Sequence, residues 1–407
     1  MINRNFTLLW VGQIISQLGD RFYAIALAWW ILQKTNSASI MGAFLLTTTL
    51  PSILVGFFAG ALVDRWRRKT IVISTDVLRA GLVALVGYLS TIDSLAVSNV
   101  FLAGFGISLV TAFFDPALQT IIPEVVDKES LTEANGMYQM VGGLCKIAGP
   151  LLGATAIGFL GWDWVFLLNS ASYFVSAFLA CFLVVNSGDH RRATKEPIWK
   201  SMREGLRFIR SQRQIVFVLK IVAIAHVFVG CLTVLLPFLA NGLDGVGVKN
   251  LGYLEMMIGV GLVGGSVFIG TRKKLSADER MLSSFILAMG FGFAAIGTAQ
   301  YFGIRSVFVH MLLLAVVGVC IAFAAVFWQT LLQRYTPDAM RGRVFGLSSL
   351  IGNTSLPIAY GVFGMLLDVS SITVLMAASG LCLIGLSSYY LITVPVQAVQ
   401  ANEVAGA

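Results

Sequence analysis

The sequence predicts an all-α integral membrane protein with twelve transmembrane helices, arranged as two pseudo-symmetric halves of six around a central cavity. Hydrophobic residues make up 57% of the chain and charged residues only 12%, about half the charged share of a soluble domain. Twelve apolar runs are each long enough to cross a hydrocarbon core about 30 Å thick at about 1.5 Å per residue. Segments of the first six runs also recur in the second six.

The apolar runs set the order of the predicted spans. The first covers about residues 7–33 and is too long for the core of a signal peptide. The others lie at about 38–63, 70–90, 97–121, 134–160, 163–185, 215–240, 250–270, 281–302, 305–332, 343–367 and 371–394. The longest interruption divides the chain into an N-terminal half (1–185), a linker (186–214), a C-terminal half (215–395) and a tail (396–407).

The distribution of basic residues predicts the orientation. Most of the 28 lysines and arginines fall in loops on the side of the N-terminus, and such loops face the cytoplasm. We therefore expect a multi-pass protein of the inner or plasma membrane, with both termini and the tail cytoplasmic. The net charge of +8 then reflects topology and anionic lipid, and no nucleic-acid partner is expected.

The linker contains one predicted helix. After Pro197, the apolar residues Trp199, Met202, Leu206 and Ile209 recur at spacings of three and four, with basic residues between them. This pattern is typical of an amphipathic helix that lies on the membrane surface. We interpret the linker as a tether between the halves, with a regulatory role as the alternative.

Two sequence segments repeat between the halves. GALVDRWRRK at 60–69 corresponds to GSVFIGTRKK at 265–274, and LQTIIPEVVDKESLTEANG at 118–136 corresponds to LQRYTPDAMRGRVFG at 332–346. Parallel repeats of six spans are found in transporters that work by alternating access about a central cavity.

The hinge between the second and third spans carries a family resemblance. It resembles motif A of the major facilitator superfamily through Gly60, Leu62, Asp64, Arg65, Arg68 and Lys69. Arg67 departs from the motif, which usually has glycine there. The resemblance implies the fold of that superfamily and a latch between the halves in the outward-facing state. Asp64 is then expected to meet the eleventh span near Gly342 and Arg343.

The fifth span carries a second, partial resemblance. Gly149, Pro150 and Gly153 resemble motif C of the superfamily's antiporters, although Cys145 and Ala154 occupy positions that are often glycine. The alternative is that these small residues only let helices pack closely.

A narrower resemblance indicates a branch of the superfamily. The segment 113–136 and the pattern Asp76, Arg79, Ala80 resemble the macrolide-efflux and enterobactin-exporter group of drug:proton antiporters, which has lysophospholipid transporters as relatives. It implies a secondary transporter that exports a hydrophobic or amphiphilic small molecule of drug, macrolide or siderophore type by proton antiport. A lysophospholipid transporter is the alternative, followed by a transport-dead sensor. The energy source is then the proton gradient, without a cofactor.

The first span carries the main candidate for proton coupling. Asp20 lies about 18 Å into the span by helical rise, and it forms one polar stripe with Gln13 and Gln17. Such a stripe must face protein or water. Asp20 is interpreted as the proton carrier or the contact for a cationic substrate. The alternative is a structural ion pair with Arg21 or a neighbouring span.

Other charged residues within the first half are secondary candidates. Asp115 and Gln119 share a face of the fourth span, and Lys146 lies in the fifth. A lysine at this depth needs a partner, and an acidic residue of the first or fourth span is the natural one. Asp76 and Arg79, three residues apart, are interpreted as a structural pair.

The second half offers polar rather than acidic candidates. Its spans hold one acidic residue, Glu255, which we place near an outer end, so proton chemistry is expected in the first half. His310 is expected at the outer surface. The candidates for the substrate cavity are His226, Thr233, Gln329, Gln333, Asn353 and Tyr360.

The sequence lacks the signatures of an enzyme. Its 3 histidines are widely separated, and no zinc-protease, nucleotide-loop or nucleophile-elbow motif is present. The 5 isolated cysteines are interpreted as buried free thiols, without a metal or a disulfide framework. We expect a monomer whose partners are protons, a small amphiphilic substrate and the lipid bilayer.

Overall fold

The computed structural model describes residues 2–63, 66–127, 130–185, 198–271, 278–337 and 340–393, and within these ranges the secondary structure is helical. The helices are α1 (Arg4–Thr35), α2 (Ala38–Val63), α3 (Arg68–Thr91), α4 (Val97–Val125), α5 (Leu131–Cys181), α6 (Ile198–Ser211), α7 (Arg213–Gly242), α8 (Gly247–Thr271), α9 (Glu279–Tyr301), α10 (Val307–Tyr335), α11 (Arg341–Val369) and α12 (Ile372–Thr393).

Ten of the described helices are long and apolar enough to cross a membrane. The two described helices outside this set are α6, which is 14 residues long, and α1. Although α1 has 32 residues, Gln17, Asp20 and Arg21 lower its hydropathy because they interrupt its apolar sequence. These polar side chains meet α5 rather than lipid, so α1 is a span as predicted.

The helix α5 contains two of the predicted spans. Gly161 has φ +80° and ψ 163°, a conformation that glycine adopts without steric cost. Both segments of α5 lie beside the same part of α1: a Cβ atom on Gly149 would be 2.5 Å from Arg21 Cβ, and one on Gly19 would be 3.0 Å from Ser172 Cβ. The chain therefore folds back at Gly161, and the prediction of twelve spans is confirmed.

The bundle has two ends, which we call the terminal face and the opposite face. At the terminal face Asn3 caps α1 by accepting a hydrogen bond of 2.8 Å from Phe6 N, and Asn3 Nδ2 donates to Val125 O at the end of α4. The ring centroids of Phe217 and Tyr390 are 4.8 Å apart, so the start of α7 and the end of α12 lie together at this face. The end of α1 and the start of α2, which a short turn after Thr35 joins, lie at the opposite face. The end of α11 and the start of α12 lie there as well.

The two halves meet through α2 with α11 and through α5 with α8. Near the opposite face, Gly42 lies against the Tyr360 carbonyl. A Cβ atom on Gly364 would be 3.1 Å from Gly42 Cα. Asp368, at the end of α11, accepts hydrogen bonds from Ala38 N at 2.7 Å and from Ser39 N at 3.1 Å. The carboxylate of one half thus caps the first turn of α2 in the other half.

The helix α6 lies in the region where the sequence predicts an amphipathic helix. It packs on α11, where Glu204 and Arg343 form an ion pair of 2.8 Å and a Cβ on Gly205 would be 3.1 Å from Arg343 Cβ. Ile209 is buried and Leu206 is exposed. The first part of the linker (186–197) and the tail lie outside the described residues.

Two expectations about single residues are wrong. Of the 5 cysteines, which were expected to be buried, Cys181 and Cys382 are exposed. His310 is fully buried, since its ring turns toward α9 and lies 2.9 Å from Gln300 Nε2 and 2.9 Å from Ser306 O.

Candidate functional site

Three helices and the second segment of α5 bring together five residues that we call the charge cluster: Asp20, Asp76, Arg79, Asp115 and Tyr173. The Tyr173 hydroxyl donates a hydrogen bond to the Asp20 carboxylate. Arg79 forms an ion pair with Asp76, and both side chains are buried. The candidates of the first, third and fourth spans are therefore one site rather than separate ones.

Arg79 lies at the centre of the charge cluster. Its guanidinium carbon is 3.9 Å from the centroid of the Phe114 ring and 4.6 Å from that of Tyr173, distances at which a cation is attracted to an aromatic face. Its charge acts on Asp20, Asp76 and Asp115 together. With three carboxylates and one guanidinium, the cluster carries a formal charge of about −2 when all four groups are ionised.

Small residues allow α1 to approach α5 closely enough for this contact. A Cβ atom on Gly19 would be 2.5 Å from Asn169 Oδ1, so any larger residue there would push α1 away. On the other side, Ser170 Oγ donates to Ala80 O at 2.8 Å and fixes α5 against α3. Asp20, Arg79 and Tyr173 are thus held within one packed layer.

Part of the hydrogen-bonding capacity of the charge cluster is unused. Arg79 Nε is buried and has no hydrogen-bond partner among the described residues. A charged group held away from water with an unsatisfied donor is costly. An arrangement of this kind can change its partners when a proton or a charged ligand enters.

The polar stripe of α1 faces protein, as the sequence predicts. Gln13 is buried, and Gln17 Nε2 lies 3.4 Å from Gln13 Oε1. Gly142 of α5 lies beside the Gln17 side chain, whose Oε1 would be 3.8 Å from a Cβ at that position. The stripe therefore runs from the terminal face toward Asp20 along the contact between α1 and α5.

Lys146 does not form the expected ion pair. It is exposed, and the ion pairs found within the described ranges do not join it to Asp20 or Asp115. Its backbone carbonyl faces α8, 2.7 Å from the position of a Cβ on Gly259, whereas Asp20 turns toward Tyr173. The charged group that acts on Lys146 is Arg21, which has the same sign.

Asp115 and Gln119 are both exposed on α4. Asp115 contributes to the charge cluster through its interaction with Arg79 and Asp20. Because Asp115 is exposed while Asp76 is buried, Asp115 is more accessible to a ligand in the bundle than Asp76.

Glu255 lies about two helical turns from the start of its span, on the face of α8 that meets the first half. It is on the same face of α8 as Gly252 and Gly259, whose Cβ positions would be 2.8 Å from Pro150 O and 2.7 Å from Lys146 O. Arg21 of α1 is the charged group that acts on it. The second half therefore provides a carboxylate facing the first, which the sequence interpretation did not anticipate.

Among the polar candidates of the second half, His226 of α7 lies beside α10 and α11. His226 and Trp328 have ring centroids 5.4 Å apart, and a Cβ on Gly352 would be 3.6 Å from His226 Nε2. Tyr360 is buried, and Thr233 Oγ1 donates to Val229 O at 3.4 Å within α7. The remaining candidates are exposed side chains on α10 and α11, namely Gln329, Gln333 and Asn353.

The described residues of motif A form their contacts within the first half. Arg68 forms an ion pair with Glu124, and Lys69 Nζ donates to Cys181 O at 2.7 Å and to Leu183 O at 2.8 Å. Gly60 is helical within α2. Asp64 and Arg65 lie outside the described residues, and so does the expected contact with the start of α11.

The residues of the motif C resemblance are packing positions. Besides the contact between Gly149 and Arg21, a Cβ on Gly153 would be 3.0 Å from Phe22 Cα. The Pro150 carbonyl lies against α8 at Gly252. The first segment of α5 is thus in close contact with α1 on one side and α8 on the other.

Three contributors were missed from the sequence, namely Tyr173, Asn169 and Asp368. Asn169, Tyr173 and Ser176 follow each other at spacings of four and three in the sixth span. That polar stripe is the counterpart of the one in the first span, and it could have predicted the contact. No comparable pattern points to Asp368, which depends on the meeting of two distant helix ends.

A cavity of about 260 Å³ lies between α1, α2 and α4. Its wall is mostly apolar and includes Tyr23, Met41, Phe44, Thr48, Ser108 and Thr111. It begins one helical turn from the charge cluster and was not expected from the sequence.

Comparison with known proteins gives consistent matches over nearly the whole chain. The sequence model of the Major Facilitator Superfamily matches residues 9–360. Macrolide efflux protein A of Streptococcus pyogenes is 23% identical over 355 residues, which are 87% of this chain and 87% of that protein. The multidrug efflux pump Tap of Mycolicibacterium fortuitum is 25% identical over 397 residues, with 92% of each chain covered.

Solved structures show the same fold. A bacterial homologue of the iron transporter ferroportin, in its inward-facing state, matches with a TM-score of 0.76 at 18% identity, over 96% of this chain and 99% of that one. At this level of identity the likeness concerns the arrangement of the helices alone.

Proposed function

Since the chain belongs to the Major Facilitator Superfamily, whose members are transporters and not enzymes, we propose that it exports a hydrophobic or amphiphilic small molecule in exchange for protons. The similarity to a macrolide efflux protein and to a multidrug efflux pump supports export of this substrate class. The observation that carries the proposal is the hydrogen bond from Tyr173 to Asp20, within a cluster that has more carboxylates than cations.

Asp20 is the proposed site of proton coupling. As a carboxylate it accepts the hydrogen bond from Tyr173 and is attracted by Arg79. A proton on Asp20 removes that attraction and replaces an acceptor with a donor, so the contact between α1 and α5 has to rearrange. Substrate and proton then compete for one charge cluster, which is the requirement for antiport.

The proposed conformational cycle moves the halves about their two shared interfaces. In the conformation described here the halves are joined at the opposite face, by Gly42 against Tyr360 and by Asp368 at the start of α2. Opening that face requires these contacts to separate. Trp29 of α1 lies against Gly247 of α8 at the same face, so a shift of α1 at Asp20 reaches the contact directly.

The proposed location is the inner or plasma membrane, with both termini cytoplasmic and the chain acting as a monomer. In that orientation the terminal face is the cytoplasmic one. The excess of basic residues in the loops of that face supports it.

The experiment uses inside-out vesicles with an acidic lumen and a pH-sensitive dye. Macrolides, cationic dyes, catecholate siderophores and lysophospholipids are added in turn, with vesicles that lack the protein as the control. We expect one of the first three classes to dissipate the pH gradient. Failure of all classes, together with gradient-independent movement of lysophospholipid, would replace this proposal with the lysophospholipid alternative.

A further inference from the structure

We propose that the cavity between α1, α2 and α4 binds an uncharged apolar moiety of the transported molecule, and that the Tyr23 hydroxyl donates a hydrogen bond to an acceptor on that moiety. The inference rests on the proposed function, because it assigns part of the substrate to a place in the first half. It adds a binding site and a chemical requirement that the charge cluster does not provide.

The size and chemistry of the cavity fit part of a ligand. Its volume of about 260 Å³ lies just below the range of about 300–1,000 Å³ for sites that hold a whole drug-sized molecule. The lining residues carry no ionisable charge at neutral pH, and the aliphatic and aromatic ones include Leu27, Met41, Phe44 and Ile107. A charged group would lose its hydration there without a partner, so the walls select an uncharged moiety.

Tyr23 lines the cavity, and its enclosed hydroxyl is the polar group of this wall that a small displacement of the ring would offer to a ligand. Its side chain is buried, with 9% exposure, and its hydroxyl has no hydrogen-bond partner in the part of the chain that the structure describes. The ring packs edge-on against Phe166, with centroids 5.5 Å apart. A buried hydroxyl without a partner costs free energy, and a ligand acceptor would remove that cost.

Each of the other hydroxyls of the wall already has a hydrogen-bond partner. Thr48 donates to Leu45 O at 3.0 Å, Ser52 to Thr49 O at 2.8 Å and Thr111 to Ile107 O at 2.8 Å. Ser108 accepts a hydrogen bond of 3.1 Å from Ser52 N. Tyr23 is therefore the hydroxyl of this wall that has no hydrogen-bond partner, as donor or acceptor, in the part of the chain that the structure describes.

The cavity continues directly into the charge cluster along two helices. Tyr23 follows Asp20 by three residues on α1, and Thr111 precedes Asp115 by four residues on α4. Each step is about one helical turn, or about 5.4 Å. A molecule with its apolar part in the cavity thus has its remaining part beside the carboxylates, where it can affect protonation.

The test measures binding by purified protein in lipid nanodiscs without a pH gradient. The probes are Nile red, an uncharged aromatic dye with hydrogen-bond acceptors, and pyrene, an aromatic hydrocarbon of similar shape without them. Tyr23→Phe is expected to weaken Nile red binding about tenfold, corresponding to one hydrogen bond of about 1.4 kcal/mol, and to leave pyrene binding unchanged. Loss of the hydroxyl removes no existing bond, so the variant is expected to fold.

A second variant tests the cavity itself. Ala24 lines the cavity and is exposed to it, so Ala24→Leu is expected to weaken binding of both probes at least tenfold. Ala378→Leu makes the same change at an exposed position of α12 and serves as the matched control, with no expected effect.

Unchanged Nile red affinity in Tyr23→Phe, or unchanged affinity for both probes in Ala24→Leu, would overturn the proposal. So would a phospholipid acyl chain that occupies the cavity in native mass spectra and is not displaced by Nile red. Because binding needs no gradient, the expected binding pattern in a protein that fails the vesicle assay would support the site while refuting proton antiport.

Discussion

The Tyr173 hydroxyl donates a hydrogen bond to the Asp20 carboxylate, which joins the second segment of α5 to α1 at the centre of the first half. Asp20 is therefore not paired directly with its neighbour Arg21. Arg79 reaches Asp20 only through its charge, since its ion pair is with Asp76. The Asp20 carboxylate is thus held by a neutral hydrogen-bond donor. Protonation of Asp20 disrupts such a bond more easily than it would disrupt a direct ion pair.

The buried pair of Asp76 and Arg79 predicts a large effect on stability. Arg79→Ala leaves the Asp76 carboxylate buried and uncompensated, and it is expected to lower the free energy of unfolding by about 3–5 kcal/mol. The double variant Asp76→Ala/Arg79→Ala removes both charges and is expected to recover much of that loss. Thermal unfolding in detergent measures both, with the exposed Arg67→Ala as the control. Equal midpoints for wild type and Arg79→Ala would show that the pair is not structural.

The close packing at the glycines of α5 predicts a second, more local effect on stability. Gly153→Ala places a methyl group 3.0 Å from Phe22 Cα, and backbone cannot yield as a flexible side chain can. We expect a loss of about 1–3 kcal/mol in the free energy of unfolding. The control is Gly264→Ala, where no atom lies within 4 Å of the new methyl group and where alanine favours the helix. If both variants unfold at the same temperature, the close packing of α1 on α5 is not required.

The contacts of Asp368 predict a shift between conformations. They exist only while the opposite face is closed, so Asp368→Ala is expected to destabilise that conformation by about 1 kcal/mol and to increase the open population about fivefold. Distances between spin labels at Lys34 and Ser370 measure the two populations. Asp244→Ala, at an exposed position of the same face, is the control. An unchanged distance distribution in Asp368→Ala would mean that this cap does not hold the halves together.

The spans were predictable because lipid allows few solutions for a backbone. Apolar runs long enough to cross the membrane must become helices that satisfy their own hydrogen bonds, and the two segments of α5 follow from the run break near Gly161. Asp20 was predictable for the same reason, since an acidic residue at that depth must face protein or water.

The partners of these residues were harder to predict, because they depend on how helices rotate and approach. Lys146 was predicted to pair with a carboxylate, yet α5 packs on α8 with the Lys146 backbone against Gly259, and the Lys146 side chain is exposed. Glu255 and His310 each lie within about two helical turns of a span end, but their neighbours in space make one an interface residue and the other a buried one. Neither outcome is determined by distance along the helix.

The most direct test of the central claim measures proton-coupled transport in Asp20→Asn. The variant is assayed in inside-out vesicles with an acidic lumen, using whichever compound dissipates the pH gradient through the wild-type protein. Asparagine has nearly the same shape and can still accept the hydrogen bond from Tyr173, so the fold is expected to be retained and checked by thermal unfolding. We expect the compound to dissipate no gradient through the variant. Dissipation at the wild-type rate would contradict the assignment of proton coupling to Asp20.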